Sequence, residues 1–87
     1  MNTAEQRFED AFNVLKVMGV PVYHHPDESV GFSISAEEPT SDEWVSLYRS
    51  GGEWDFGVNP ALMGVLAKFH LFAEWVNPGR LHVYDNK

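Results

Sequence analysis

Apolar residues recur at helical spacing from the start of the chain. Ala4, Phe8, Ala11, Phe12, Leu15 and Met18 share one face, while Glu5, Glu9, Asp10 and Lys16 lie largely off it. Thr3 followed by Gln6 fits a capping box, the early acidic residues suit the helix dipole, and Gly19 supplies a stop. These signals predict a first helix over residues 3–18. Residues 20–25 are rich in β-formers, with Pro21 near the start, where a strand tolerates proline. Pro26-Asp27-Glu28-Ser29 reads as a turn. Val30, Phe32 and Ile34 then alternate with Gly31, Ser33 and Ser35, the pattern of a half-buried strand, so the two strands are expected to pair as a hairpin.

Residues 36–43 form an acidic, proline-containing loop, and two readings follow it. Thr40 and Glu43 fit a second capping box, which would make 42–50 a short helix ended by Gly51. Alternatively 44–49 and 54–58 are strands joined around Ser50-Gly51-Gly52-Glu53. The hairpin is preferred, because Trp44 and Tyr48 flank one side and Trp54, Phe56 and Val58 alternate with Asp55 and Gly57.

Asn59 suits an N-cap and Pro60 the first helical position. Leu62, Val65, Leu66, Phe69, Phe72, Ala73 and Val76 make one broad apolar face, and Asn77-Pro78-Gly79 ends it. The spacing predicts a second helix over 59–76, followed by a short strand over 81–84. The expected architecture is a single α+β domain spanning 1–87. Its order is helix, four-stranded antiparallel meander, helix, strand, with both helices on one face of the sheet.

On that second helix the side opposite the core is unusual. Gly64, Ala67, Leu71 and Glu74 fall there, flanked by Met63 and Trp75, and the first three leave the face apolar and nearly uncharged where a surface helix normally carries Lys, Glu or Gln. Either another part of the chain covers this side or it is an interface with a partner, a second copy included. Aromatics among Tyr23, Trp44, Tyr48 and Trp54 raise the same question for the uncovered face of the sheet. With His24 they form the candidate ligand-binding set.

Composition narrows the function classes. The 44% hydrophobic and 14% aromatic content supports a packed core and argues against disorder. The absence of cysteine excludes disulfides, thiolate metal sites and a Cys nucleophile. A formal net charge of −7 with six scattered basic residues gives no phosphate-binding footprint, so neither direct nucleic-acid binding nor an acidic membrane surface is expected. The polar, acidic start lacks the features of a signal peptide, and the longest apolar run is too short and interrupted to span a bilayer. A soluble cytoplasmic protein is the expectation.

Catalytic signatures are missing from the sequence. His24 and His25 are adjacent and point to opposite sides of a strand, His70 and His82 stand apart, and no serine sits in a nucleophile motif. No cofactor and no metal are expected. Three functional readings follow. The first is a small non-enzymatic binding protein that self-associates as a homodimer. The second is an acidic inhibitor or nucleic-acid mimic that meets a basic partner protein through Glu37, Glu38, Asp42 and Glu43. The third is a small-ligand protein or enzyme with a histidine and aromatic pocket.

Overall fold

The computed structural model describes residues 3–46, 54 and 56–86. The chain is α+β, with helices α1 (Ala4–Met18) and α2 (Pro60–Lys68) and strands β1 (Val22–Tyr23), β2 (Ser33–Ser35), β3 (Leu71–Asn77) and β4 (Arg80–Asp85). The strands form one four-stranded antiparallel sheet in the order β1-β2-β4-β3.

Helix α1 begins where the sequence predicts. Thr3 Oγ1 accepts from the Gln6 amide at 3.1 Å, although the Gln6 side chain donates to Asp10 instead of closing the capping box. At the other end Gly19 adopts a left-handed φ of 95°, and its amide reaches the last carbonyls of the helix. The predicted β1–β2 hairpin also forms, with Val22 opposite Ile34 and Tyr23 opposite Ser33.

The second helix is shorter than its apolar pattern suggests. Asn59 caps it through Oδ1, which accepts from the Ala61 amide at 2.8 Å, and Pro60 opens it. It ends at Lys68, and His70 takes a left-handed φ of 58°. The predicted continuation to Val76 is therefore wrong, since 71–77 is a strand. Its alternation explains the change: Leu71, Ala73 and Trp75 pack against the core, while Phe72, Glu74 and Val76 alternate with them. Asn77-Pro78-Gly79, expected as a helix stop, is the turn of the β3–β4 hairpin, and Asn77 Oδ1 accepts from the Gly79 amide at 2.9 Å.

The expected meander over 44–58 needs correction as well. Ser41–Glu43 is a single 3₁₀ turn, and Val45 is extended, bridged antiparallel to Val58. The Ser46 amide donates to the Gly57 carbonyl and the Asn59 amide to the Trp44 carbonyl, both at 2.8 Å. This pairing lies outside the four-stranded sheet, whose last two strands come from the C-terminal part of the chain. Phe56 and Gly57 turn with positive φ of 53° and 77°, so the predicted strand 54–58 is not continuous. Residues 47–53 and 55, which hold the rest of the predicted hairpin and of the alternative 42–50 helix, lie outside the described residues.

One cluster of buried residues holds these elements together. Phe8, Ala11 and Leu15 of α1 and Leu62 and Leu66 of α2 join Phe32, Ile34, Leu81 and Val83. Burying a side chain of this size stabilises the fold by about 1.5–3 kcal/mol relative to leaving it exposed. Register puts Ile34 opposite Leu81 on the core-facing side of the sheet and Ser33 opposite His82 on the reverse side.

The left-handed turn gives a test of sign. Glycine adopts positive φ without strain, so His70→Gly is expected to stabilise the fold by up to about 1 kcal/mol in urea denaturation. In a continuous helix through 70 the same change would cost about 1 kcal/mol.

Candidate functional site

The surface feature with the most definite geometry is the outer edge of β3. This strand has seven residues and pairs only with β4 among the described residues. The hydrogen bonds around it establish which backbone groups point outward. The Val83 amide donates to Phe32 O at 2.8 Å, so Val83 directs its backbone groups towards β2. Asn86 N–H donates to His70 O at 2.9 Å, extending the β3–β4 ladder through the even-numbered positions of β3. Phe72 and Glu74 therefore bond to Tyr84 and His82, while Leu71, Ala73 and Trp75 turn their N–H and C=O groups away from β4.

The predicted interface residues separate onto two elements. Met63, Gly64 and Ala67 are exposed on α2, and nothing stands within 4 Å of a Cβ placed on Gly64. Leu71 is only 2% exposed and sits in the core, so it cannot belong to an exposed helix face. Trp75 is half-buried on β3, where its indole Nε1 donates to Phe56 O at 2.7 Å. The expected apolar back face of one helix does not exist, because the helix stops before reaching these two residues.

The predicted ligand-binding residues also fail to converge. Tyr23 lines a shallow cleft with Pro21, Val22, Ser35, Glu37 and Glu38. His24 lies in a different groove, its ring stacked on Phe12 at 4.5 Å. Trp44 packs at the margin of the core and Trp54 is half-buried, while Tyr48 lies outside the described residues. His25 turns into its own loop, where Nδ1 accepts from the Asp27 amide at 3.1 Å. Among the described residues, no three His, Asp or Glu side chains gather in a way that could hold a metal ion.

Two groupings escaped the sequence reading. The first is a buried polar network on the reverse side of the sheet. Ser33 and His82, 0% and 1% exposed, lie opposite each other on β2 and β4, with Ser33 Oγ 2.9 Å from His82 Nδ1. His82 Nε2 is 2.7 Å from Val30 O, a pure acceptor, so Nε2 carries the proton and Nδ1 accepts from the Ser33 hydroxyl. Arg80 Nη1 donates to the same Ser33 Oγ at 3.1 Å. Glu28 stands further off, at 3.8 Å from His82 and 4.0 Å from Arg80. Serine, histidine and glutamate in this order resemble a nucleophile assembly, but the hydroxyl is enclosed and both its hydrogen-bonding roles are taken. The alternation of Arg80, His82 and Tyr84 against Leu81 and Val83 was the available signal for it.

The second is a groove of about 580 Å³ between α1 and the loop before β2. Phe8, Phe12 and Val30 supply its apolar walls, with Glu5 and Glu9 one helical turn apart along it. Gly31 keeps the loop close, since a Cβ there would lie 2.4 Å from Val83 O. No pattern local to α1 shows this groove, because His24, Ser29, Val30 and Gly31 supply its other wall.

The network makes Ser33 structural, and its removal is measurable. Ser33→Ala leaves His82 Nδ1 without a donor and Arg80 without an acceptor, and should lower stability by about 1–3 kcal/mol in chemical denaturation. An unchanged midpoint would show that the hydroxyl supports neither.

Comparison with known proteins finds no family model, no curated protein and no solved structure that matches this chain.

Proposed function

We propose that this chain is a small non-enzymatic interaction protein whose working form is a dimer, its two copies joined along β3. The outward groups of Ala73 and Trp75, both half-buried, carry the reading; Leu71 points the same way but is covered by its own chain. An edge strand with unpaired N–H and C=O groups is a template for another strand, and a second copy brings an identical one. Proteins commonly blunt such edges with proline or lysine. Residues 71–77 contain neither, and Glu74 is their one charged residue.

Symmetry selects the register. A two-fold axis at Ala73 sets Ala73 against its copy and Leu71 against the partner's Trp75. Ala73 then exchanges about two N–H···O=C bonds with its copy, while Leu71, 2% exposed, stays covered by its own chain. It also sets Glu74 opposite the partner's Phe72. An axis at Glu74 would face two carboxylates across the interface, which is destabilising. An axis at Phe72 would pair fewer of the outward groups. The joined sheet would run continuously through both copies.

Ala73 thus serves the interface through its backbone, and Leu71, 2% exposed, belongs to the core. The exposed Met63, Gly64 and Ala67 of α2 are not required by it. The charge of −7 on each copy opposes association, so added salt should strengthen the dimer. The enclosed Ser33 hydroxyl supports the non-enzymatic part of the reading, because the arrangement closest to a nucleophile has no access for a substrate.

Ala73→Pro isolates the proposed contact. It removes an amide that bonds to nothing in β4, and proline is tolerated on an edge strand. Sedimentation velocity should find the natural chain near twice 9.9 kDa and Ala73→Pro near 9.9 kDa, with circular dichroism unchanged between them. A natural chain that is monomeric at every concentration, or a proline variant that dimerises equally well, would overturn the reading.

A further inference from the structure

We propose that the groove between α1 and residues 24–31 docks a segment of another protein in which an arginine or lysine lies beside an apolar side chain. The groove has the size and chemistry for this occupant. Its volume of about 580 Å³ accommodates a few side chains, and its walls include Phe8, Phe12 and Val30. Val30 is 65% exposed although it is large and apolar, and together with the Phe12 ring it offers a seat for an aliphatic or aromatic group.

Charge decides the character of the partner. Glu5 and Glu9 are the charged residues among those lining the groove, which includes no lysine or arginine. Both carboxylates are exposed on the same side of α1, so a cation entering with an apolar neighbour reaches one or both without displacing an internal ion pair. Elsewhere the net charge of −7 draws a basic segment towards the protein and repels an acidic one. Lys16 has its Nζ 5.9 Å from the Phe12 ring centroid and is not among the residues that line the groove. His24 lies flat on Phe12, so the aromatic wall is broad and already ordered. Ordering a wall before binding lowers the entropy lost when a ligand arrives.

This site uses α1 and the loop before β2, and its occupancy is independent of pairing along β3. It also differs from the acidic loop at 37–43, where the Glu37, Glu38, Asp42 and Glu43 side chains are exposed around the buried Ser41 and line no groove with Phe8 or Phe12.

The test is a two-dimensional amide NMR titration of the full chain with a capped peptide of sequence Arg-Leu-Arg-Phe, and with Glu-Leu-Glu-Phe as the control. The basic peptide should saturate, shifting resonances of Glu5, Phe8, Glu9, Phe12, His24 and Val30, and the acidic peptide should not bind. Glu5→Gln with Glu9→Gln should weaken binding by about tenfold, as the loss of two surface charge contacts implies. Val30→Ser, an exposed change that leaves the core intact, should weaken it by about threefold. Shifts centred on residues 37–43, equal affinity of the glutamine variant, or equal binding of the acidic peptide would each overturn the proposal. The same titration in Ala73→Pro keeps the result separate from dimer formation.

Discussion

The guanidinium of Arg7 ties together the three places on which the second half of the fold depends. Its Nη1 lies 3.0 Å from Phe69 O, 3.2 Å from His70 O and 2.9 Å from Asp85 Oδ1. The first is the carbonyl of the residue that caps α2, where a helix leaves acceptors without internal partners, and the second is the next carbonyl, which also accepts from the Asn86 amide. The third belongs to the last residue of β4. A cation on α1 therefore satisfies the chain where it leaves the helix and holds the far end of the hairpin beside it. The Arg7 side chain is only 11% exposed, so these bonds form in a partly dehydrated setting and are stronger than those of a surface pair. With the turn at His70 fixed, Leu71 enters the core and 71–77 becomes a strand.

That constraint has a consequence at the opposite margin of the sheet. The β1 edge is protected, since the strand has two residues and is preceded by Pro21, which has no amide to offer. The β3 edge is longer, and among the described residues Glu74 and a register shift between Trp75 and Asn77 stand against it. A strand of this length needs its outward groups met by water, by another segment or by another chain. The buried Ser33–His82–Arg80 network shows the alternative solution on the reverse side of the same sheet, where polar groups satisfy each other internally.

Much of the architecture was legible in local chemistry. Thr3, Gly19, Asn59 and Pro60 mark helix ends that are observed, and alternation through Phe32, Ser33 and Ile34 marks a strand that is observed. The failure is confined to an ambiguous run. Leu62, Val65, Leu66 and Phe69 continue at helical spacing into Phe72, Ala73 and Val76, yet Leu71, Ala73 and Trp75 also alternate as a strand requires. Periodicity cannot choose between them. The choice rests on β4, which follows in sequence, and on Arg7, which is 62 positions from Phe69. The same separation hid the candidate site: both the outward register of β3 and the groove beside Phe12 arise from elements that meet only in the folded chain. Spacing on a helix gathered Met63, Gly64, Ala67, Leu71 and Trp75, and the turn at His70 disperses them.

Amide hydrogen exchange along β3, followed from dilute to concentrated protein, tests the central claim most directly. The account predicts slow exchange at Phe72 and Glu74 at every concentration, because these amides bond to β4. At Ala73 and Trp75 exchange should be fast when the protein is dilute and slow when it is concentrated, as the second copy covers the edge. Alternation that stays the same at all concentrations would contradict pairing along β3. Uniform protection from Gly64 to Val76 in dilute protein would contradict the strand itself.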